Sequence, residues 1–187
     1  MHSRTHVSDL VFEGGGVKGI GLAGALATLE EREYRPQNIA GTSAGAITAA
    51  LLAAGYSAAE LREIIVSLDY RQFQDRAWED KMPLVERSLS LLLDLGLYEG
   101  DRFLEWIRER LEAKDVRTFA DLVQAEYADD PRYRSRLQVI ASDVTTHELL
   151  VLPRDAGKLG IEPDELDVAL AVRMSMSIPI FFEPVRF

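Results

Sequence analysis

The side chain best placed to act as a nucleophile is a serine between two glycines, Ser43 in the segment GTSAG of residues 41–45. An apolar strand pattern over residues 38–41 precedes it and an alanine-rich helix pattern over residues 44–54 follows it, which is the context that the G-x-S-x-G motif requires. Such a turn exposes the hydroxyl, and the unpaired N–H groups at the helix start favour an oxyanion beside it. The segment therefore predicts a nucleophilic serine; a small residue that merely fits a tight turn is the alternative.

A second loop rich in glycine lies between a strand pattern and a helix pattern near the start of the chain, in the segment GGGVKG of residues 14–19. Backbone N–H groups that no side chain shields make such a loop a cradle for an anion. Gly14, Gly16 and Gly19 also satisfy the G-x-G-x-x-G pattern, so a Rossmann-type dinucleotide-binding domain is the alternative. Against it, the next strand ends in glycine and serine, where an acidic residue that binds ribose is expected.

The two glycine-containing loops are best interpreted as parts of one site. The carboxyl ends of adjacent parallel strands lie at the same edge of a sheet, so the loops that follow them lie close together. The N–H groups of the glycine loop and the N–H of Ala44 can then converge on one oxygen atom near Ser43. This arrangement predicts an oxyanion hole beside the serine.

Two consecutive strand-loop-helix units open the chain. The first has a short apolar strand over residues 9–12 and a helix within residues 17–32, and the second is the unit around Ser43. Ser57 and Glu60 then form a capping box, which predicts another helix. Units of this kind favour an α/β fold with parallel strands, and the length of the chain favours a single domain over residues 1–187.

The remainder of the chain alternates between helix and strand patterns. The predicted helices cover residues 83–96, 99–114 and 118–127. One stripe of the second helix is apolar and comprises Phe103, Trp106, Ile107 and Leu111. Two strands, residues 136–144 and 148–153, are predicted to form a hairpin. Asp164 is predicted to cap a final helix that ends near Met174.

The composition of the chain limits the classes of function that it can have. Of the 187 residues, 47% are hydrophobic and 28% are charged, and the formal net charge is -10. Because binding to nucleic acid needs clustered lysine and arginine, no nucleic-acid partner is expected. The chain has no cysteine and its N-terminal segment lacks the apolar region of a secretory signal, which together favour a cytoplasmic location. The uncharged residues 36–59 fit a strand-turn-helix better than a membrane span.

Four segments, EGGGVKG, GTSAGA, ASDV and SMSIPIFFEPV, resemble in order and spacing the successive blocks of the patatin-like phospholipase family. The resemblance extends over almost the whole chain. It implies a three-layer α/β/α fold with a mostly parallel central sheet. It also implies a phospholipase A or carboxylic ester hydrolase that acts on lipids through a Ser-Asp dyad, without histidine, metal or cofactor.

By position, the resemblance implies that Ser43 is the nucleophile and that Gly14, Gly15 and Gly16 supply the oxyanion hole, to which the N–H of Ala44 adds. Lys18 occupies the basic position that follows the glycines, and its implied role is structural or anion-steering. The expected partner is a phospholipid or another fatty acyl ester. Peripheral contact with a membrane or micelle is compatible with such a substrate.

The chain departs from the family pattern at its end. The general base of the family is an aspartate in a D-G-G or D-G-A block shortly after the PV segment, and residues 1–187 contain no such block. We therefore expect the base beyond residue 187, a domain incomplete at its C-terminus, and no turnover by a protein that ends at Phe187. Asp143 matches a family position distinct from the dyad and is expected to be structural. Two alternatives stay open: a triad of Ser43, Asp143 and His147, and a lipid-binding module without turnover.

Overall fold

The computed structural model of the protein describes residues 6–15, 19–67, 100–177 and Val185. Its strands are β1 (His6–Phe12), β2 (Tyr34–Thr42), β3 (Leu137–Asp143) and β4 (Glu148–Leu152). Its helices are α1 (Gly19–Glu31), α2 (Ala44–Ala53), α3 (Ala58–Ser67), α4 (Gly100–Glu112) and α5 (Val168–Met176). The helix predicted over residues 83–96 lies outside the described residues.

The four strands form one sheet in the order β1-β2-β3-β4. The first three strands are parallel, and β4 runs antiparallel to β3, so the predicted hairpin is confirmed. Phe12 of β1 pairs with Gly41 of β2, and Gly41 pairs with Val139 of β3. The carboxyl ends of β1 and β2 therefore lie level at one edge of the sheet. Helices flank this sheet, and the predicted α/β fold with a mostly parallel sheet is confirmed.

Helix α2 lies in the centre of the core. Eight of its ten residues are buried, and most of them are alanine or glycine. Small side chains let this helix approach the backbone of β2 closely, while large residues of other elements fill the surrounding space. The fully buried large side chains include Ile39, Leu61, Ile107, Phe119, Leu137 and Val172. The apolar character of residues 44–53 thus comes from burial in the core.

The structure confirms the predicted capping box at the start of α3 and part of the predicted apolar stripe of α4. The Ser57 N–H donates a hydrogen bond of 2.7 Å to the Glu60 carboxylate, and the Glu60 N–H donates one of 3.3 Å to the Ser57 hydroxyl, as a capping box requires. A hydrogen bond from Lys114 and those from Ser57 lower the pKa of Glu60 to about 2. In α4, Ile107 and Leu111 are buried as predicted, whereas Trp106 is partly buried.

The single helix predicted over residues 118–127 is wrong. The chain forms two short 3-10 turns there, Phe119–Leu122 and Ala125–Tyr127. Between them the backbone is extended, because Val123 makes a β-bridge to Ser135 and the Gln124 N–H donates to the carbonyl of Arg134. These contacts with residues ten or more positions away replace the hydrogen bonds of a continuous helix.

The predicted cap of the last helix is also wrong. Helix α5 begins at Val168, and the residue that caps it is Asp167, whose carboxylate accepts a hydrogen bond of 2.8 Å from the Leu170 N–H. Asp164 instead forms an ion pair of 2.5 Å with Arg134. The same Asp167 carboxylate accepts from Arg108 of α4 at 3.1 Å, which ties the start of α5 to α4.

The uncharged residues 36–59 begin within β2, form α2 and end at the start of α3, so they contain the strand-turn-helix that the sequence predicts. Among the residues that the structure describes, none of the helices is long and apolar enough to cross a bilayer.

Candidate active site

Ser43 is the single residue that joins β2 to α2. Its backbone has φ 52° and ψ -128°, a left-handed conformation that side chains other than glycine rarely adopt. A residue held in such a region costs of order 1–3 kcal/mol, and strain of this kind concentrates at active sites. Its half-buried side chain lies where the strand turns abruptly into the helix. The geometry is that of the tight turn predicted from the sequence.

The two flanking glycines allow this turn because they bring backbone segments into direct contact. A Cβ atom on Gly41 would lie 2.4 Å from the carbonyl oxygen of Gly45. A Cβ atom on Gly45 would lie 2.3 Å from the carbonyl oxygen of Phe12 and 2.5 Å from that of Glu13. The first turn of α2 is therefore seated directly against the end of β1. Only glycine fits at either position without a shift of the backbone.

The glycine loop begins beside the serine. A Cβ atom on Gly14 would lie 3.1 Å from the Cβ of Ser43 and 3.7 Å from its Oγ, so the loop backbone passes next to the hydroxyl. Gly15 follows and is exposed. The structure thus brings Gly14 to Ser43, whereas Gly16 and Lys18 lie outside the described residues.

Ala44 is the first residue of α2 and directly follows Ser43. The first N–H groups of a helix have no partner within the helix, and they carry the positive end of its dipole. A developing negative charge beside the Ser43 hydroxyl would be stabilised by these groups.

Asp143 and His147 lie in the turn between β3 and β4. The Asp143 carboxylate accepts hydrogen bonds of 2.8 Å from both the Thr146 hydroxyl and the Thr145 N–H. These bonds, the one from the Thr146 hydroxyl foremost, hold the pKa of the Asp143 carboxyl below its usual value. His147 adopts a left-handed backbone conformation with φ 59° in the same turn. The contacts of Asp143 shape the turn and give no support to a triad with Ser43.

Ser175, which the sequence analysis did not single out, contacts the serine turn. Its hydroxyl accepts a hydrogen bond of 2.9 Å from the backbone N–H of Ser43. The available signal was its place in the SMSIP segment at the end of the last helix, but nothing local indicates a contact 132 residues away.

The left-handed backbone at Ser43 leads to a prediction about stability. Its φ and ψ values mirror those of an extended chain, and glycine adopts the mirror conformation without strain whereas alanine does not. We expect the Ser43→Gly protein to exceed the Ser43→Ala protein in free energy of unfolding by about 1 kcal/mol, measured by urea denaturation.

The matched control is Ser142, which is exposed within the regular strand β3. There the Gly variant should be less stable than the Ala variant, because glycine weakens a strand. The same order of stability at both positions would contradict the assignment of strain to Ser43.

The described part of the chain is an α/β protein with a serine held at a strained strand-to-helix turn, beside a glycine loop. A model of the patatin-like phospholipase family matches residues 10–187, and the chain belongs to that family. Membership of this family speaks against the alternative of a dinucleotide-binding domain.

Known proteins resemble the chain in sequence and in fold. It is 44% identical over 178 residues to YqhO of Bacillus subtilis, covering 95% of this chain and 58% of YqhO. In structure it is similar to ExoU of Pseudomonas aeruginosa, which was solved in complex with SpcU. The TM-score is 0.56 and the sequences are 23% identical, and the match covers 96% of this chain and 40% of ExoU. VipD from Legionella pneumophila is similar with a TM-score of 0.55 and 19% identity, covering 98% of this chain and 44% of VipD. The chain thus spans little more than half of its relative YqhO.

Proposed function

We propose that the protein is a serine-dependent acyl hydrolase of lipid esters, with Ser43 as the nucleophile. The observation that carries this proposal is the strained turn that places the Ser43 hydroxyl beside Gly14 of the glycine loop. Membership of the patatin-like phospholipase family supports phospholipids and other fatty acyl esters as the substrate class.

In the proposed reaction, the Ser43 oxygen attacks the carbonyl carbon of the ester. The N–H groups of Gly14, Gly15, Gly16 and Ala44 donate hydrogen bonds to the oxyanion that forms. Donors that are already in place cost no reorganisation during the reaction, and removing one from an oxyanion hole typically costs about 3 kcal/mol. Close packing of β1, the glycine loop and α2 supports such a preorganised site.

The general base of the proposal is an aspartate in a D-G-G or D-G-A block that follows residue 187. It takes the proton of the Ser43 hydroxyl and passes it to the departing alcohol oxygen. Water then attacks the acyl-serine, gives a proton to the same carboxylate, and the proton returns to Ser43 as the fatty acid leaves. Support comes from the sequence, in which residues 1–187 contain no D-G dipeptide, and from the hydrogen bonds that engage Asp143 elsewhere.

The proposed setting is the cytoplasm, with peripheral contact to membranes or micelles and no nucleic-acid partner. The net charge of -10 supports the absence of a nucleic-acid partner, and the absence of cysteine supports the cytoplasm. Lys18, two residues after the last of the three glycines, steers anionic lipid headgroups toward the site or stabilises the loop in this proposal.

The test is covalent labelling of the full-length protein with a fluorophosphonate probe, followed by mass spectrometry of the labelled peptide. Because the probe reacts with activated serines, we expect the label on Ser43 in the natural protein. The Ser43→Ala protein should remain unlabelled, and the Ser142→Ala protein should be labelled as the natural one is. A natural protein that is folded and unlabelled would favour a lipid-binding module without turnover and contradict the proposal.

A further inference from the structure

Ser175 lies in the last turn of α5, and its hydroxyl bridges the backbone just after the end of β2 and the backbone in the middle of β3. It accepts a hydrogen bond of 2.9 Å from the Ser43 N–H and donates one of 2.5 Å to the carbonyl oxygen of Ile140. One hydroxyl therefore connects three elements that are distant in the sequence. Because its proton is engaged by Ile140, a lone pair of the oxygen is directed toward the Ser43 N–H.

The Ser43 N–H depends on this side chain because of the conformation of the turn. The ladder between β2 and β3 ends at the pair of Thr42 and Ile140, and at Ser43 the chain turns into a left-handed conformation. The N–H of Ser43 thus lies past the paired residues and before the first hydrogen bond of α2, which runs from Ala46 to Ser43. A side chain from another element supplies its acceptor.

The orientation of this peptide group determines where the reacting groups point. The Ser43 N–H belongs to the peptide plane that sets the φ of Ser43, and this φ orients the Ser43 side chain. Together with ψ of Ser43, it also orients the Ala44 N–H that follows. An error of about 1 Å in the placement of a reacting group can cost roughly a hundredfold in rate. A hydrogen bond that holds this plane would therefore affect the rate of reaction more than the binding of substrate.

We propose that Ser175 is a positioning residue, which holds the Ser43 turn in its strained conformation through the Ser43 N–H. The consequence for catalysis rests on the proposed function of Ser43, whereas the hydrogen bond itself can be tested without it. Ser175 acts through the backbone and has no contact with the substrate in this proposal.

The kinetic test uses variants of the full-length protein that separate the hydroxyl from the size of the side chain. Threonine and valine have the same shape, and only threonine keeps a hydroxyl. We expect Ser175→Ala and Ser175→Val to lower kcat for a nitrophenyl acyl ester by about tenfold to a hundredfold, with little change in KM. Ser175→Thr should recover most of the loss. Ser177→Ala is the control, since the Ser177 hydroxyl bonds to the Arg173 carbonyl in the same helix end.

A second measurement does not depend on activity. Amide hydrogen exchange at Ser43 should become faster in Ser175→Ala and Ser175→Val, and stay slow in Ser175→Thr and Ser177→Ala. Unchanged exchange at Ser43 in a folded Ser175→Ala protein would overturn the positioning role, and so would an unchanged kcat in an active protein. If the natural protein has no activity but its slow exchange at Ser43 is lost in Ser175→Ala, the result would support the positioning role and refute only the proposed function.

Discussion

Replacement of Ser43 by alanine is expected to abolish ester hydrolysis by the full-length protein while leaving the fold intact. Ser43 supplies the attacking oxygen in the proposed reaction, and loss of a serine nucleophile lowers kcat by at least about a thousandfold in serine hydrolases. The measurement is kcat/KM for a nitrophenyl acyl ester. Alanine keeps the backbone strain and removes only the oxygen, so thermal unfolding should change little.

Ser142→Ala provides the control for this experiment. Ser142 is exposed near the carboxyl end of β3, on the strand beside β2, and we expect its removal to leave turnover unchanged. A Ser43→Ala protein with the activity of the natural protein would remove Ser43 from the mechanism. Asp143 and His147 would then be the next residues to replace.

The second large effect is expected at Gly45, where alanine should disrupt the contact between α2 and β1. The added Cβ would lie 2.3 Å from the carbonyl oxygen of Phe12, and both are backbone positions that cannot move independently of the sheet. Overpacking of a well-packed core typically costs 1–3 kcal/mol, and here we expect a loss of about 3 kcal/mol in the free energy of unfolding. Urea denaturation provides the measurement.

Gly24→Ala is the matched control, because Gly24 is exposed in helix α1 and a Cβ there would have nothing within 4 Å. Alanine is a better helix former than glycine, so the free energy of unfolding of this variant should rise by about 0.5–1 kcal/mol. The two substitutions are chemically identical, and their effects on the free energy of unfolding should have opposite signs. Equal stability of the two variants would mean that the backbone contact at Gly45 is not close.

The class of the fold could be predicted from the sequence because its signals are local. A strand pattern, a glycine-flanked serine and an alanine-rich run follow one another within residues 38–54, and each constrains the backbone of its neighbours. The hairpin of β3 and β4 and the capping box of Ser57 and Glu60 are equally local. Contacts between residues that are near one another in the sequence favour these features.

The choice between similar residues was decided by tertiary contacts. Asp164 and Asp167 are both suitable helix caps by type, but the ion pair with Arg134 engages Asp164, and Asp167 is left to cap α5. Residues 118–127 have a helical composition, yet the bridge between Val123 and Ser135 interrupts them. Competition from a distant partner is invisible in a local pattern.

For the candidate site, the sequence by itself determined that Ser43 lies in a strand-to-helix turn between two glycines, because those residue types permit little else in that context. The tertiary structure alone decided what surrounds the turn: Gly14 at its side, Phe12 against Gly45, and Ser175 on the Ser43 N–H. The physical reason is that a backbone turn is specified by neighbouring residues, whereas the partner of an N–H group past the end of a strand pair depends on which distant segment packs there.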